Sequence, residues 1–476
     1  MVFSMTSVPA FLAILVISIV LLMLMIIRWK VHPVMALFTC ALLAGIALGY
    51  GVVGTADSIS SGFGGTLTGV GITIILGAII SMGIEDTGAA KSIANFFIRL
   101  FRGRNMELAP ALTAFIMSIP VFGDITMVLT APIASMLSKR KHISMSTMAS
   151  FTGLALFLTH GLVPPTPGIL AIAIMFEADL GLTIFWGTVV SLIAFFGTWI
   201  LIKRWTEKEW IEPNPEMVKG LEETGSNSID DILIKEPNMP GTFASFMPLL
   251  LPVLLITLDS FAKMYLPADS SVRVFCGMIG HKVIALFIGV LYSLWLGCRQ
   301  RSYIAAYYKD HFPGDDASVH EIMVNRWVAR GLIVCLAPLL ITAMGGAFGN
   351  ILKSSPAIAP LSEIVGRSQI PGILVPWAVA VIMMTAVGSM TTAGMTAAAI
   401  ILPMMPHLGL TPLSAVLAIG AGTLMFDHVS NSGFWVMGQF FNLDTKQSLK
   451  YVTLPSVVGS IIAEIAIALL SHAGLI

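Results

Sequence analysis

Between the apolar runs 151–158 and 169–176 the chain reads THGLVPPTPG, Thr159 to Gly168, so an otherwise membrane-like helix is broken near its middle. Pro164, Pro165 and Pro167 cannot donate backbone hydrogen bonds, and carbonyls freed in hydrocarbon are costly unless they face protein or a water-filled cavity. A proline kink serving packing alone is the plain alternative. His160 and three prolines together fit better the broken helices that form substrate sites in transporters. The break has a partner, because residues 413–425 lead into FDHVSNSG, 426–433, and then into Phe434 and Trp435.

With 56% hydrophobic and 11% charged residues and a mean hydropathy of +0.90, the chain reads as an all-α polytopic membrane protein in contact with the lipid bilayer. Its apolar segments are about 20 residues long, enough to span hydrocarbon as helices. Outer-membrane strands would alternate apolar and polar residues, whereas 11–27 is almost continuously apolar. The formal net charge of +0 gives no argument for a nucleic acid partner. Cys40, Cys276, Cys298 and Cys335 are scattered without metal-ligand spacing or a disulfide framework, and no cofactor is expected. The first apolar run has no basic residue before it and ends at Arg28 and Lys30, so it reads as a retained helix.

In chain order, helices are expected over 8–27 and 33–53, joined by the basic turn RWKVH. A glycine-rich link at Gly62, Gly64 and Gly65 leads to a third helix over 66–84. Residues 85–104 read as an interfacial helix, with Ile93, Phe96, Phe97, Leu100 and Phe101 at helical spacing beside Lys91, Arg99, Arg102 and Arg104. From 107 to 141 two short apolar arms flank IPVFGDI and form a re-entrant hairpin, followed by the broken helix and a helix over 182–202. The second half repeats this order: helices over 243–266, 281–298 and 328–347, an interfacial segment over 350–368, a hairpin over 371–405 with its tip at VGSMTTAG, the second broken helix, and a last helix over 451–473. The expected fold is therefore an inverted repeat of about five transmembrane helices plus one re-entrant hairpin per half, with two broken helices. Residues 1–202 form the first repeat, 203–242 a cytoplasmic linker and 243–476 the second, inverted repeat; 299–330 reads as a further linker. With both termini outside, every one of the 26 Lys and Arg residues except Lys263, Arg273, Lys282, Lys353 and Arg367 falls on the cytoplasmic side.

The chemistry is expected where the four interruptions meet. Gly123, Gly388 and Gly433 permit tight turns, Gly161, Pro164, Pro165 and Thr166 join the candidate substrate site, and Thr126, Thr159, Ser389, Thr391, Thr392, Ser430, Asn431 and Ser432 offer hydrogen bonds. No Lys or Arg falls there, so a small organic anion would be held by helix N-termini and backbone amides. Local capping by the same Ser and Thr residues is the bland reading. Asp124, His160, Asp427 and His428 are the ionisable residues nearest the middle of the membrane. A charge there costs roughly 2.5–3.5 kcal/mol on insertion scales, and such groups mark pathways or proton relays. They are the candidates for proton coupling. Asp259 and Glu464 also fall in helices, but beside no break.

At these residues the sequence resembles the gluconate permease family of bacterial proton symporters. The stretches that carry the resemblance are GGTL (64–67), THGLVPPTPG, GGAFGNILK (345–353), VGSMTTAG and FDHVSNSGFW (426–435). The resemblance implies uptake of gluconate or a related small hydroxy acid, with D-serine and glycerate as alternatives. It also implies a bacterial inner-membrane location, a relation to the ion transporter superfamily, homodimers and elevator-like movement. The family pattern has glutamate at Asp124, histidine at Thr166, and asparagine, aspartate and proline at Ser430, Asn431 and Ser432; here the acidic group stands instead at Asp427.

Two other classes compete. An anion channel would also use re-entrant hairpins, but paired breaks in an inverted repeat fit alternating access better. FGD and FDH superficially suggest an intramembrane hydrolase, yet the sequence around them lacks aspartyl-protease context, and no GxSG or HExxH motif is present, so the chain is read as no enzyme.

Overall fold

Hydrocarbon satisfies no backbone N–H or C=O, so apolar stretches of this length close their hydrogen bonds within helices, and every regular element among the described residues is helical. The computed structural model describes residues 8–119, 123–215, 217–218, 233–312, 314, 317–353, 355–357, 360, 371–428 and 431–476. The first half comprises α1 (Val8–Met23), α2 (Pro33–Ala47), α3 (Gly51–Asp86), α4 (Ala89–Phe101), α5 (Leu108–Met117), α6 (Gly123–Lys141), α7 (Met145–Leu162), α8 (Pro167–Met175) and α9 (Leu180–Thr206). The second comprises α10 (Thr242–Tyr265), α11 (Ser271–Gly280), α12 (Lys282–Arg299), α13 (Arg301–His311), α14 (Trp327–Lys353), α15 (Leu374–Val387), α16 (Met390–Ile401), α17 (Pro412–Gly422), α18 (Ser432–Phe440) and α19 (Leu454–His472). Among the described residues eight helical stretches are long and apolar enough to cross a membrane. Their outward faces carry exposed Ile17, Val53, Ile72, Ile200, Ile333 and Leu469, as lipid-facing surfaces do.

The glycine-rich link expected at Gly62 to Gly65 is instead the interior of α3, a continuous helix of 36 residues. The chain turns earlier, at Gly49 and Gly51, whose φ angles of 89° and 69° suit glycine. At about 1.5 Å per residue α3 is roughly 54 Å long, well beyond the ~30 Å hydrocarbon core. Its glycines serve packing. A Cβ on Gly62 would stand 2.7 Å from Asn350 Cβ and 2.8 Å from Ala347 Cα, while Gly331 of α14 faces the backbone of Ala78 and Ile79. Gly83 faces Trp327, so the two long helices run antiparallel over most of their length. Ion pairs close one end: Arg330 reaches Asp86 at 2.8 Å and Glu85 at 3.0 Å, and Trp327 Nε1 donates to Asp86 at 2.7 Å.

The amphipathic helix expected over 85–104 is α4, with Ile93 and Phe97 buried and Leu100 exposed. Two helices were not foreseen, α11 and α13, the latter inside the stretch read as a linker. Of the expected 203–242 linker, 216 and 219–232 lie outside the described residues, as do 354, 358–359 and 361–368 of the expected interfacial segment. Just past α9, Glu209 accepts hydrogen bonds from Lys450 (2.7 Å), Tyr451 (2.8 Å) and Gln447 (3.1 Å), which tie this chain to the turn before α19.

Gly62→Val should force α3 and α14 apart. Overpacking costs about 1–3 kcal/mol, and a clear drop in melting temperature in detergent is expected, whereas Gly64→Ala, with nothing within 4 Å, should match or exceed the parent. A second expectation concerns acid stability. The hydrogen bonds from Lys450, Tyr451 and Gln447 hold the Glu209 carboxyl down at about 2, against 4.5 ordinarily. A depressed carboxyl contributes stability above its ordinary value and loses it as pH falls through the folded one. Thermal melts should therefore separate the parent from Glu209→Gln above pH 4.5 and converge towards pH 2.

Candidate functional site

Several helices are too short to cross: α5 has 10 residues, α15 has 14, α16 has 12, α8 and α18 have 9 each and α17 has 11. At 1.5 Å per residue these reach roughly 14–21 Å, less than the ~30 Å of hydrocarbon. The starts of α8, α16 and α18, with that of α6, border one cavity of about 170 Å³. Gly123 contributes the start of α6, Pro167 the start of α8, Ser389 and Met390 the start of α16, and Asn431 and Gly433 the start of α18. Four helix N-termini thus face a common space, and among the described residues no Lys or Arg lines it. Each N-terminus acts as about half a positive charge with unpaired N–H groups, a ready seat for an anion.

Local chemistry explains each break. At the first, Thr166 precedes Pro167 as N-cap, with φ −56° and ψ 141°, and its Oγ1 donates to the carbonyls of His160 and Val163, both at 3.0 Å. The prolines leave these carbonyls without amide donors, and the threonine hydroxyl satisfies them. The Pro164–Pro165 bond is cis. At the second hairpin Gly388, at φ 70°, ends α15, and Ser389 Oγ accepts from Thr392 N at 3.4 Å and from its hydroxyl at 3.1 Å. At the second break Asn431 caps α18 by accepting from Gly433 N at 2.9 Å, while its amide donates to Asp427 Oδ1.

The predicted residues therefore separate. Gly123, His160, Gly388, Ser389, Thr391 and Asn431 line the cavity. His160 Nδ1 is buried and has no partner among the described residues. Thr159 is fully buried and bonds Ser118, joining α5 to α7. Thr126 is buried with an unpartnered hydroxyl, and Thr392 and Thr166 are spent on capping. Gly161 is where α7 meets α17: a Cβ there would lie 2.9 Å from Met390 Cε and 3.3 Å from the Gly420 carbonyl. Pro164 and Pro165 face a separate crevice with Thr73, Ile184, Lys282 and Leu286. Asp427 is 1% exposed and sits behind Asn431, with Oδ2 unpartnered and its carbonyl accepting from Thr453. His428 points instead to the Thr385 carbonyl at 3.2 Å. Asp124 lies in the first turn of α6, next to Gly123; its side chain, that of Ser432, and Ser430 lie outside the described residues.

Met127, Leu156, Phe157, Pro338 and Met390 also line the cavity and were not singled out from sequence. Leu156 and Phe157 stand one turn before His160, a signal that was present; Pro338 comes from α14, which nothing in the sequence connects to the breaks. Among the described residues no group of three His, Cys, Asp or Glu gathers around a possible metal ion.

Comparison with known proteins gives a consistent picture. The family model described as GntP family permease matches residues 10–473. A gluconate permease of Pseudomonas aeruginosa is 30% identical over 96% of this chain and 96% of its own length. The D-serine transporter DsdX of Escherichia coli is 30% identical over 96% and 97%, and the high-affinity gluconate transporter of the same organism is 28% identical over 97% and 99%. The crystal structure of the Alcanivorax borkumensis YdaH transporter shares the fold, with a TM-score of 0.61 at 14% identity over 93% of this chain and 99% of that one.

The meeting of α7 and α17 at Gly161 allows no side chain. Gly161→Val should overpack this contact at a cost of about 1–3 kcal/mol, read as a clear drop in melting temperature in detergent.

Proposed function

Because the chain belongs to the GntP permease family, a family of membrane transporters and not of enzymes, we propose that it takes up gluconate or a related small hydroxy acid together with protons. The observation that carries this reading is the ring of four helix N-termini around a cavity that, among the described residues, no Lys or Arg lines. At about 170 Å³ the cavity is smaller than the roughly 300–1,000 Å³ of drug-sized sites, which suits a solute of few heavy atoms. Ser389, Thr391 and Asn431 supply hydroxyl and amide groups for a polyhydroxy chain. Relatives named for gluconate, L-idonate and D-serine support the same range. D-serine and glycerate are the runners-up. The ammonium of D-serine calls for an acceptor, and the unpartnered oxygen of Asp427 lies behind Asn431, so a hydroxy acid fits the cavity better.

Asp124, His160, Asp427 and His428 remain the candidates for proton coupling, and geometry favours His160 and Asp427. His160 meets the cavity with an unpartnered nitrogen, and Asp427 touches it through Asn431. An inverted repeat over 1–202 and 243–476 around the linker 203–242, two re-entrant hairpins, elevator-like alternating access and a homodimer belong to the same proposal. The antiparallel α3 and α14 support it. So do two matched bonds, Ser191 to the Leu158 carbonyl at 3.3 Å and Ser460 to the Ala421 carbonyl at 2.7 Å, in which the last helix of each half supports the broken one. The charge distribution favours a bacterial inner-membrane protein with both termini outside.

Proteoliposomes under an inward pH gradient should accumulate gluconate, another aldonate or glycerate; accumulation also separates a transporter from a channel. Uptake driven by sodium alone would overturn the proton reading. Asp427→Asn should abolish accumulation, and adding Asn431→Asp to it should restore at least a tenth of the parent rate, because the exchanged pair keeps one carboxyl and one amide in contact.

A further inference from the structure

Two stretches singled out in the sequence are still without a role, GGTL (64–67) and GGAFGNILK (345–353). The fold brings them together. Gly65 and Thr66 of α3 and Gly346, Gly349, Asn350 and Lys353 of α14 border one pocket of about 220 Å³. Ser61 stands beside them, with Met175 from the end of α8 and Ala399 and Leu402 from the end of α16. Both α8 and α16 begin at the central cavity, and α14 borders that cavity through Pro338, so the two spaces lie towards opposite ends of the same helices. From Pro338 to Lys353 the helix rises about 22 Å at 1.5 Å per residue.

Packing accounts for most of these residues. A Cβ on Gly346 would run into Thr66, and one on Gly349 would stand 2.8 Å from Ala399 Cβ. Gly65 differs, because a Cβ there meets nothing within 4 Å. Glycine weakens a helix interior relative to alanine, and the helix gains no contact in return; what the missing side chain leaves free is the volume of the pocket.

The polar groups suit an anion that carries hydroxyls. Lys353 is exposed and makes no hydrogen bond or ion pair among the described residues, and among those residues no Asp or Glu lines the pocket. The Ser61 hydroxyl is likewise unengaged, and Thr66, which donates to the Gly62 carbonyl at 2.9 Å, keeps acceptor capacity. Asn350 Nδ2 is held by the carbonyl and hydroxyl of Ser58, at 2.9 and 3.0 Å. A lysine in the last turn of α14 also complements the carbonyl end of that helix. That role requires neither a pocket nor an open side at Gly65.

We propose that this pocket is an entry subsite for the transported hydroxy acid, in which Lys353 holds the carboxylate while Ser61 and Thr66 meet the hydroxyls. The solute then passes to the helix N-termini of the central cavity. In the proposed orientation this end of α3 and α14 lies outside, where uptake starts. A full positive charge there raises the local concentration of an anion, and the centre, which has only fixed dipoles, receives it. The inference rests on the proposed function above.

The test is gluconate uptake by intact cells that express the full chain and take up no gluconate of their own. Lys353→Gln should raise KM about fivefold or more with the saturated rate within about twofold of the parent, and Lys353→Arg should restore KM. Gly65→Leu fills the pocket without removing charge and should raise KM by a similar factor, whereas Gly64→Leu, which also adds its Cβ to open space but lines no pocket, should leave it unchanged. Melting temperatures in detergent should stay with the parent; if Gly65→Leu melts early, the smaller Gly65→Ala takes its place, with KM raised about twofold. An unchanged KM in Lys353→Gln or in the Gly65 variant, as for a pocket occupied by lipid, overturns the inference and leaves the central site standing. So does a rise in Gly64→Leu equal to that in Gly65→Leu. A parent chain that takes up neither gluconate nor glycerate overturns the proposed function and this inference with it.

Discussion

Every backbone group that a helix leaves open inside hydrocarbon must find a partner in the protein or face a cavity, and this requirement shapes the centre of the molecule. Helices that stop mid-membrane leave N–H groups at one end and carbonyls at the other. Here the N-terminal ends of α6, α8, α16 and α18 border one cavity, with Ser389 capping Thr392 N and Asn431 capping Gly433 N. The carbonyl ends are closed by hydroxyls: Thr166 serves His160 and Val163, Thr453 serves Asp427, Ser191 serves Leu158 and Ser460 serves Ala421. In the proposed function the positive ends serve binding and the negative ends structure.

Such a centre also needs helices close enough for short side chains to reach. Lipid tails are as apolar as Leu, so association in the membrane rests on close packing and small residues rather than on removing apolar surface from water. Gly62 against Ala347 and Asn350, Gly331 against Ala78, and Gly161 against Gly420 bring backbones together. The last of these sets the separation of α7 from α17.

Much of this was legible. Prolines and a histidine inside an apolar run, and Gly-Ser-Thr clusters between two short ones, are strong signals because hydrocarbon tolerates them only where something repays the broken ladder. Gly123, His160, Gly388, Ser389, Thr391 and Asn431 were found in this way, and all line the cavity. What the sequence could not convey was direction. Thr159, Thr166 and Thr392 look the same as Thr391 in the sequence, yet they bond Ser118, the His160 carbonyl and Ser389. Gly62 to Gly65 read as a link because glycine usually marks turns, whereas in a membrane helix it also marks contact, and only the facing residues of α14 distinguish the two.

The missing cation is itself informative. A lysine or arginine in the cavity would hold an anion with a full charge that never leaves, and a transporter must release its solute on the far side. Four helix ends supply about two positive charges in total, distributed and fixed, each worth roughly 0.3–2 kcal/mol. That attraction is enough to orient a carboxylate without trapping it. In the proposed proton-coupled cycle the adjustable part of the field falls to groups that can lose their charge. His160 and Asp427 are buried with an unpartnered atom apiece and stand beside the helix ends, where gaining or losing a proton alters the field felt by a bound anion while the backbone amides stay in place. Protonation at these positions removes negative charge or adds positive charge, and either change favours an entering anion; deprotonation reverses the effect. In that cycle, fixed dipoles hold the anion's carboxylate and titratable neighbours let binding strength follow proton occupancy.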